Sequence, residues 1–297
     1  MRVLVTGGAG FIGRQTVREL LERGDEVSVI DLKPAVDEGV RHVQGDIRDP
    51  EAVADALSPG TEAVVHLAAL TRVLDSMNDP DGTFRTNLLG THLLLESARV
   101  TGAAAFVLAS TNAVVGDVGR TVIHERMPTR PLTPYGATKA AGEMLLSAYA
   151  ASYGVKTVAL RFTNVYGRGM QLKDSVVPRL MRAALNGGGI QVYGDGEQVR
   201  DYVYVADVVK SIELAVALPG ADVLTIGSGQ SISMNELHRI ACEVTGVDIG
   251  KEHVEAKQGE MPAVIVDNTH AREMGWSPDH DIASGMAATW EDFKASP

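Results

Sequence analysis

Tyr135 and Lys139 stand at the two ends of Tyr135-Gly-Ala-Thr-Lys139, so a helix would stack a phenol and an ammonium on one face. A cation beside a phenol lowers its pKa, and a phenol so tuned can exchange a proton with a substrate hydroxyl near neutral pH while hydride moves to or from a redox cofactor. The pairing alone also occurs on surface helices that do no chemistry. A second group of polar side chains, Ser110-Thr111-Asn112, follows the apolar run 106–109, which places its hydroxyls at the carboxyl end of a buried strand, where open α/β sheets bind ligands. A helix cap or a hydroxyl-held turn would use the same residue types.

Thr6-Gly7-Gly8-Ala9-Gly10-Phe11-Ile12-Gly13 follows a short apolar strand and opens an amphipathic helix, the context a dinucleotide-binding fingerprint requires. Gly7 and Gly10 permit close backbone approach, the helix start offers unpaired N–H groups and the positive end of its dipole to a pyrophosphate, and Gly13 lets the helix pack tightly on the strand. Phe11 and Ile12, the first residues of that helix, belong to the same cofactor surface.

Glycine supplies 31 of the 297 residues, so a glycine-rich turn by itself says little, and the second strand decides. The run 27–30 ends at Asp31, the interval expected for an acid that pairs with the adenosine ribose hydroxyls. Its charge would repel a 2′-phosphate, which favours NAD over NADP; the competing reading is that Asp31 only caps a loop. Gly45-Asp46-Ile47 falls where a third strand should end, with Asp46 available to the adenine amino group and Ile47 to its ring.

The elements that must position these groups follow from periodicity. Apolar runs at 3–5, 27–30, 63–67, 106–109 and 157–160 alternate with amphipathic segments, the pattern of a parallel sheet covered by helices. The first helix carries Phe11, Ile12, Val17, Leu20 and Leu21 on one side and stops at Gly24. An Ala-rich helix over 134–154, bounded by Pro134 and Gly154, carries Tyr135 and Lys139. Beyond about residue 166 the rhythm loosens: a helix around 175–185, a glycine run at 187–189, a turn at 194–196, and a helix from Met234 closed by Gly246. Ser233 and Glu236 announce that last helix by the spacing in which each side chain satisfies the other's free backbone donor.

The fold class expected is α/β, a Rossmann-like doubly wound parallel sheet with a smaller α/β C-terminal substrate-binding domain. Residues 1–166, with 205–224 returning to them, make the NAD-binding domain, and 167–204 with 225–297 the substrate-binding domain. A chain of 297 residues suits about two such units.

Composition excludes other classes. With 38 acidic and 27 basic side chains the net charge is −11, which gives no general attraction to nucleic acid or anionic lipid. An anionic substrate would have to be held by individual cations. Cys242 is the single cysteine, so no intramolecular disulfide or multi-cysteine metal site can form, which fits a reducing compartment, the cytoplasm. No metal site is expected: the histidines lack ligand spacing, and His66 within its apolar strand reads as a satisfied strand residue. The first residues resemble a signal peptide only until glycines interrupt the apolar run, and no stretch is long and apolar enough to span a bilayer.

These features stand together with His66-Leu-Ala-Ala69, Thr86-Asn87 through Gly90-Thr91, the block from Arg161 to Gly167, and Arg200-Asp-Tyr-Val-Tyr-Val-Ala-Asp207. In that combination the sequence resembles, over nearly its whole length, the extended short-chain dehydrogenase/reductase family, and within it the NAD-dependent nucleotide-sugar epimerases and dehydratases. The resemblance implies that Tyr135 is the acid/base, that Lys139 holds the nicotinamide ribose, and that Thr111 hydrogen-bonds the reacting sugar hydroxyl. It places Leu67, Ala68, Ala69 and Asn87 at the cofactor. Asn164, Tyr193 and Arg200 fall at the nucleoside-diphosphate sugar, Arg200 on the diphosphate; a salt bridge with Asp201 is the other reading of Arg200. A homodimer through helices near Thr83–Arg99 and 134–154 is implied as well.

The sequence departs from the family in three places. Val115 stands where relatives carry a tyrosine before Gly116, which leaves the sugar open. Lys257 lies where relatives carry a second diphosphate-gripping arginine. Asn112 and Ala113 stand where the dehydratases carry an Asp-Glu pair that removes water, and the sugar decarboxylases keep a glutamate there too. What remains is enough for an epimerase, so the expected function is NAD-dependent 4-epimerisation of a nucleoside-diphosphate sugar such as UDP-glucose or UDP-glucuronate. A dehydratase or net oxidoreductase of the same family is the alternative, and a non-catalytic NAD sensor a remoter one.

Overall fold

The structure, a computed structural model, describes residues 1–34, 38–256 and 261–295. The chain divides into two units: residues 1–117, 125–162 and 209–224 form the first, and 118–124, 163–208 and 225–297 the second. The helix Val205–Ala217, read from the sequence as part of the large domain, is shared, its first turn falling in the second unit.

The first unit is built on a seven-stranded sheet in the order Ala221–Ile226, Lys156–Phe162, Ala105–Thr111, Ala63–His66, Arg2–Thr6, Glu26–Asp31, Arg41–Gln44. The pairings from Lys156–Phe162 through Arg41–Gln44 are all parallel. The chain starts mid-sheet, winds to one edge, then returns beside its first strand and winds toward the other edge. The reversal lies between Arg2–Thr6 and Ala63–His66, whose carboxyl ends open the crevice where doubly wound sheets take ligands. Leu4, Ile30, Val64, Phe106, Leu108 and Ala159 bury one sheet face against Leu94, Leu95, Leu146 and Tyr149.

Helix Phe11–Glu22 ends as the sequence predicts, with Gly24 at a φ of +86°. Helix Pro134–Tyr153 is capped by the Thr133 hydroxyl, which accepts from the Gly136 N–H, has proline in its first turn, and terminates at left-handed Gly154.

The second unit holds a three-stranded sheet in the order Ser231–Ser233, Val199–Tyr204, Asn164–Tyr166, and two parallel pairs, Gly189–Tyr193 with Gly250–Val254 and Val122–Ile123 with Ile265–Val266. Helices Val176–Asn186, Met234–Thr245 and Ile282–Ala295 accompany them, with Leu180, Met181, Leu237, Met286 and Phe293 buried. At Met234–Thr245 only half of the expected reciprocal cap is made. Ser233 accepts from the Glu236 N–H at 3.1 Å, while the Glu236 carboxylate is taken by Arg239 at 2.6 and 3.0 Å. A charge-assisted bidentate contact wins over a bond to a neutral N–H. No helix among the described residues is long and apolar enough to cross a membrane.

Candidate active site

The glycine turn is shaped by what it cannot hold. A Cβ on Gly13 would lie 2.1 Å from the Gly7 carbonyl oxygen, and one on Gly7, at φ +72°, would lie 2.8 Å from the Ala68 nitrogen. Gly7 and Gly13 therefore let the turn close on the helix and on the Leu67–Ala69 segment. Gly10 holds the N-cap position without any side-chain hydrogen bond, at the positive end of the helix dipole, where an anion is favoured. Phe11 and Ile12, half-buried, follow directly.

Asp31 has both of the roles weighed for it within reach. One carboxylate oxygen accepts from Ala9 N–H in the turn at 3.0 Å and the other from Lys33 N–H at 2.9 Å. Each oxygen retains a lone pair for a ribose hydroxyl. Asp46 is gripped by the Arg48 guanidinium at 2.5 to 3.0 Å, which holds its carboxyl below the usual range, and Ile47 is buried in the core against Gly90.

Asn87 is buried in the π-helical turn Arg85–Leu89, an irregularity no sequence signal announced. Its amide accepts from Leu70 N–H at 2.8 Å and donates to Leu70 O at 2.9 Å, so it fixes the loop that carries Leu67, Ala68 and Ala69. His66 extends this bracing. Its Nδ1 is 2.7 Å from the Thr6 hydroxyl and its Nε2 is 2.9 Å from the Thr91 hydroxyl. Thr91 donates to Asn87 O, so it must accept from His66, which puts the ring proton on Nε2 and makes Thr6 the donor to Nδ1. Thr6 in turn accepts from Ala68 N–H at 3.1 Å. Burial pushes His66 down to about 3, with the Lys139 charge acting in the same direction, so the ring is neutral.

The hydroxyls and the Tyr/Lys helix meet at the end of strand Ala105–Thr111. The Thr111 side chain hydrogen-bonds the Tyr135 phenol and also accepts from Ala113 N–H at 3.2 Å, so the expected turn and the contact to Tyr135 coexist. Tyr135 is 9% exposed and Lys139 3%. The expectation that Lys139 lowers the phenol pKa is not met: burial pushes Tyr135 up to about 12, and the opposing influence is the Thr111 hydrogen bond. Burial likewise drives the Lys139 ammonium down to about 8, with Glu143 pulling it back up.

Sequence reasoning singled out Ser110 and the block beginning at Arg161 but missed Glu143, which joins them. Its carboxylate accepts from Ser110 Oγ at 2.5 Å, from Arg161 Nε at 3.0 Å and from Arg161 Nη2 at 2.7 Å, all three residues being buried. The available signal was its place one turn beyond Lys139, continuing the face of Tyr135 and Lys139.

In the second unit, Asn164 donates to the Asp201 carbonyl at 2.8 Å, and Arg200 Nη1 donates to Val199 O at 2.8 Å. The Asp201 carboxylate is fully buried and accepts from Thr163, Ser228 and Gly229. Arg200 and Tyr193 are half-buried. Lys257 lies outside the described residues.

A model of the NAD dependent epimerase/dehydratase family matches residues 3–227. A dTDP-glucose 4,6-dehydratase of Streptomyces griseus is 38% identical over 97% of this chain and 92% of its own length. The solved UDP-glucose 4-epimerase of Thermotoga maritima with UDP-glucose is 34% identical at a TM-score of 0.95, over 100% of this chain and 99% of that one. That of Thermus thermophilus, complexed with NAD, is 35% identical at a TM-score of 0.93, over 100% of both chains.

Proposed function

The chain belongs to the NAD dependent epimerase/dehydratase family, and on that premise we propose that it inverts C4 of a nucleoside-diphosphate sugar, UDP-glucose, UDP-glucuronate or a close analogue, through a transient 4-keto sugar. The observation that carries this reading is a buried phenol, Tyr135, hydrogen-bonded to Thr111 one turn from a buried ammonium, with Asn112 and Ala113 rather than carboxylates following Thr111.

NAD suits the residues present. The uncapped helix start at Gly10 and the glycine closure at Gly7 and Gly13 would take its pyrophosphate, Asp31 its adenosine ribose, Asp46 and Ile47 its adenine, Leu67–Ala69 with Asn87 its nicotinamide side, and Lys139 the nicotinamide ribose. Held there, NAD would supply reversible hydride acceptance at C4, with no net oxidation over a turnover. In its phenolate form, the minor one while burial holds the pKa up, Tyr135 takes the proton of the C4 hydroxyl and returns it to the ketone oxygen once the sugar has presented its other face. Thr111 holds that oxygen. Burial raises the Tyr135 pKa and the Thr111 hydrogen bond opposes it, while the Lys139 ammonium lies one turn further along the same helix. Within the second unit, Asn164, Tyr193 and Arg200 are the side chains that the family resemblance assigns to the sugar and diphosphate, a planar guanidinium suiting a bidentate contact.

The 38% identity to a dehydratase favours that alternative. Elimination of water needs an acid and a base near the sugar, however, and Glu143, the buried carboxylate of this helix, is already engaged by Ser110 and Arg161. Incubation with UDP-glucose or UDP-glucuronate and catalytic NAD should give the C4 epimer. Accumulation of NADH, or of a product one water lighter, would sink the assignment. A homodimer through helices Pro80–Phe84, Gly90–Thr101 and Pro134–Tyr153 is part of the proposal, supported by exposed Phe84, Val100, Met144 and Tyr153 on them.

A further inference from the structure

Ser110, Glu143 and Arg161 come from three different elements: strand Ala105–Thr111, helix Pro134–Tyr153 and the neighbouring strand Lys156–Phe162. Their contacts form one buried clamp. Arg161 meets Glu143 side-on through Nε and Nη2, and Ser110 donates at 2.5 Å to the same Oε1 that Nε reaches. Arg161 also reaches the Glu125 carbonyl at 3.4 Å. A buried ion pair of this kind adds little net stability compared with apolar packing, so a reason besides stability is needed for it. Its location supplies one. Ser110 immediately precedes Thr111, and Glu143 lies one turn beyond Lys139 on the face that carries Tyr135.

We propose that Glu143, held by Ser110 and Arg161, is a positioning residue for proton transfer: it sets a carboxylate one helical turn from the Lys139 ammonium, as its counter-charge, and locks the strand end bearing Thr111 to the helix bearing Tyr135. The proposal rests on the epimerase reading for its catalytic consequence, but not for its electrostatics.

The groups facing Lys139 define the balance. His66, on strand Ala63–His66, is neutral and offers no negative charge. Tyr135, on the same helix, is uncharged at neutral pH because burial pushes its pKa up. Glu143 is thus the anion that opposes desolvation of the ammonium, and its effect on Lys139 is upward. Arg161 lies behind Glu143 and fixes the carboxylate while partly offsetting its charge. Replacing the carboxylate alone would leave Arg161 as a buried, unpaired cation and make the Lys139 ammonium harder to keep.

The test follows Lys139 directly, by the pH dependence of its side-chain NMR signal, assigned by its loss in Lys139→Met, with activity on UDP-glucose measured in parallel. Glu143→Gln should lower the Lys139 midpoint by about one pH unit or more. In the same variant the alkaline fall of kcat/KM should move to lower pH, while KM for the nucleotide sugar stays within a few-fold of the parent. If Glu143→Gln does not fold, Glu143→Leu with Arg161→Met removes both charges and avoids the buried orphan. The midpoint should then fall too, by less than Glu143→Gln would cause. An unchanged midpoint in a folded variant of either kind overturns the proposal and leaves the clamp a packing feature. Absence of C4 epimer from the parent protein would remove the epimerase reading while the Lys139 titration still decides the clamp.

Discussion

The cofactor side and the catalytic side of the first unit are built on opposite principles. Around Gly7–Gly13 the work is done by backbone N–H groups and by the absence of side chains, with a single carboxylate, Asp31, at the far strand end. Around Thr111, Tyr135 and Lys139 it is done by side chains sunk so deeply that burial moves their pKa values, to about 12 for the phenol and about 8 for the ammonium. The first region should therefore be sensitive to added volume and tolerant of altered charge, and the second the reverse.

Substitutions that change one property at a time can break this contrast. The largest effect is expected from Tyr135→Phe, which keeps the ring and removes the proton carrier: turnover should drop by about 10²–10⁴-fold, while NAD binding, followed by calorimetry, stays near the parent value. Unchanged turnover would remove Tyr135 from its role. Gly13→Ala adds one carbon 2.1 Å from the Gly7 carbonyl oxygen. It should cost about 1–3 kcal/mol in denaturant unfolding and weaken NAD binding together, since turn and helix would have to part.

Lys139→Met separates stability from function. A lysine whose folded pKa lies at about 8, below its unfolded value, penalises the fold while both states are protonated, and the penalty is relieved as pH rises from about 8 toward 10.5. The variant should accordingly be more stable than the parent at pH 7, by about 1–3 kcal/mol, yet inactive, and its advantage should shrink across that window. A variant less stable at pH 7 would show that the ammonium is not penalised there. The smallest effect is expected for Asp31→Asn, which keeps the shape but loses charge. NAD affinity should fall by about tenfold or less, with discrimination against NADP falling further, because a neutral amide no longer repels a 2′-phosphate.

The two sides also differed in how far they could be read from sequence. The glycine turn is a local pattern: strand, turn and helix are consecutive, so Arg2–Thr6, Phe11–Glu22 and Asp31 were visible from periodicity and spacing. Tyr135 and Lys139 were visible for the same reason, being one helical turn apart. The direction of the phenol's pKa was not, because it depends on burial, which the packing of distant segments decides. The clamp joins residues 18 and 33 positions apart in the chain, and nothing local marks Ser110 as the partner of Glu143. His66 could be recognised as satisfied but not as the link between Thr6 and Thr91. At Glu236 a correct local signal lost to a competitor, Arg239, on the same helix. The two-residue strands Val122–Ile123 and Ile265–Val266 carry too few residues for any periodicity to show.

The measurement that reaches the central claim most directly is the fate of the C4 hydrogen. With UDP-glucose deuterated at C4 and catalytic NAD, Tyr135 moves only the hydroxyl proton, so both epimers should retain deuterium at C4. Label lost from C4, or found in a product lighter by one water, would contradict 4-epimerisation by this site.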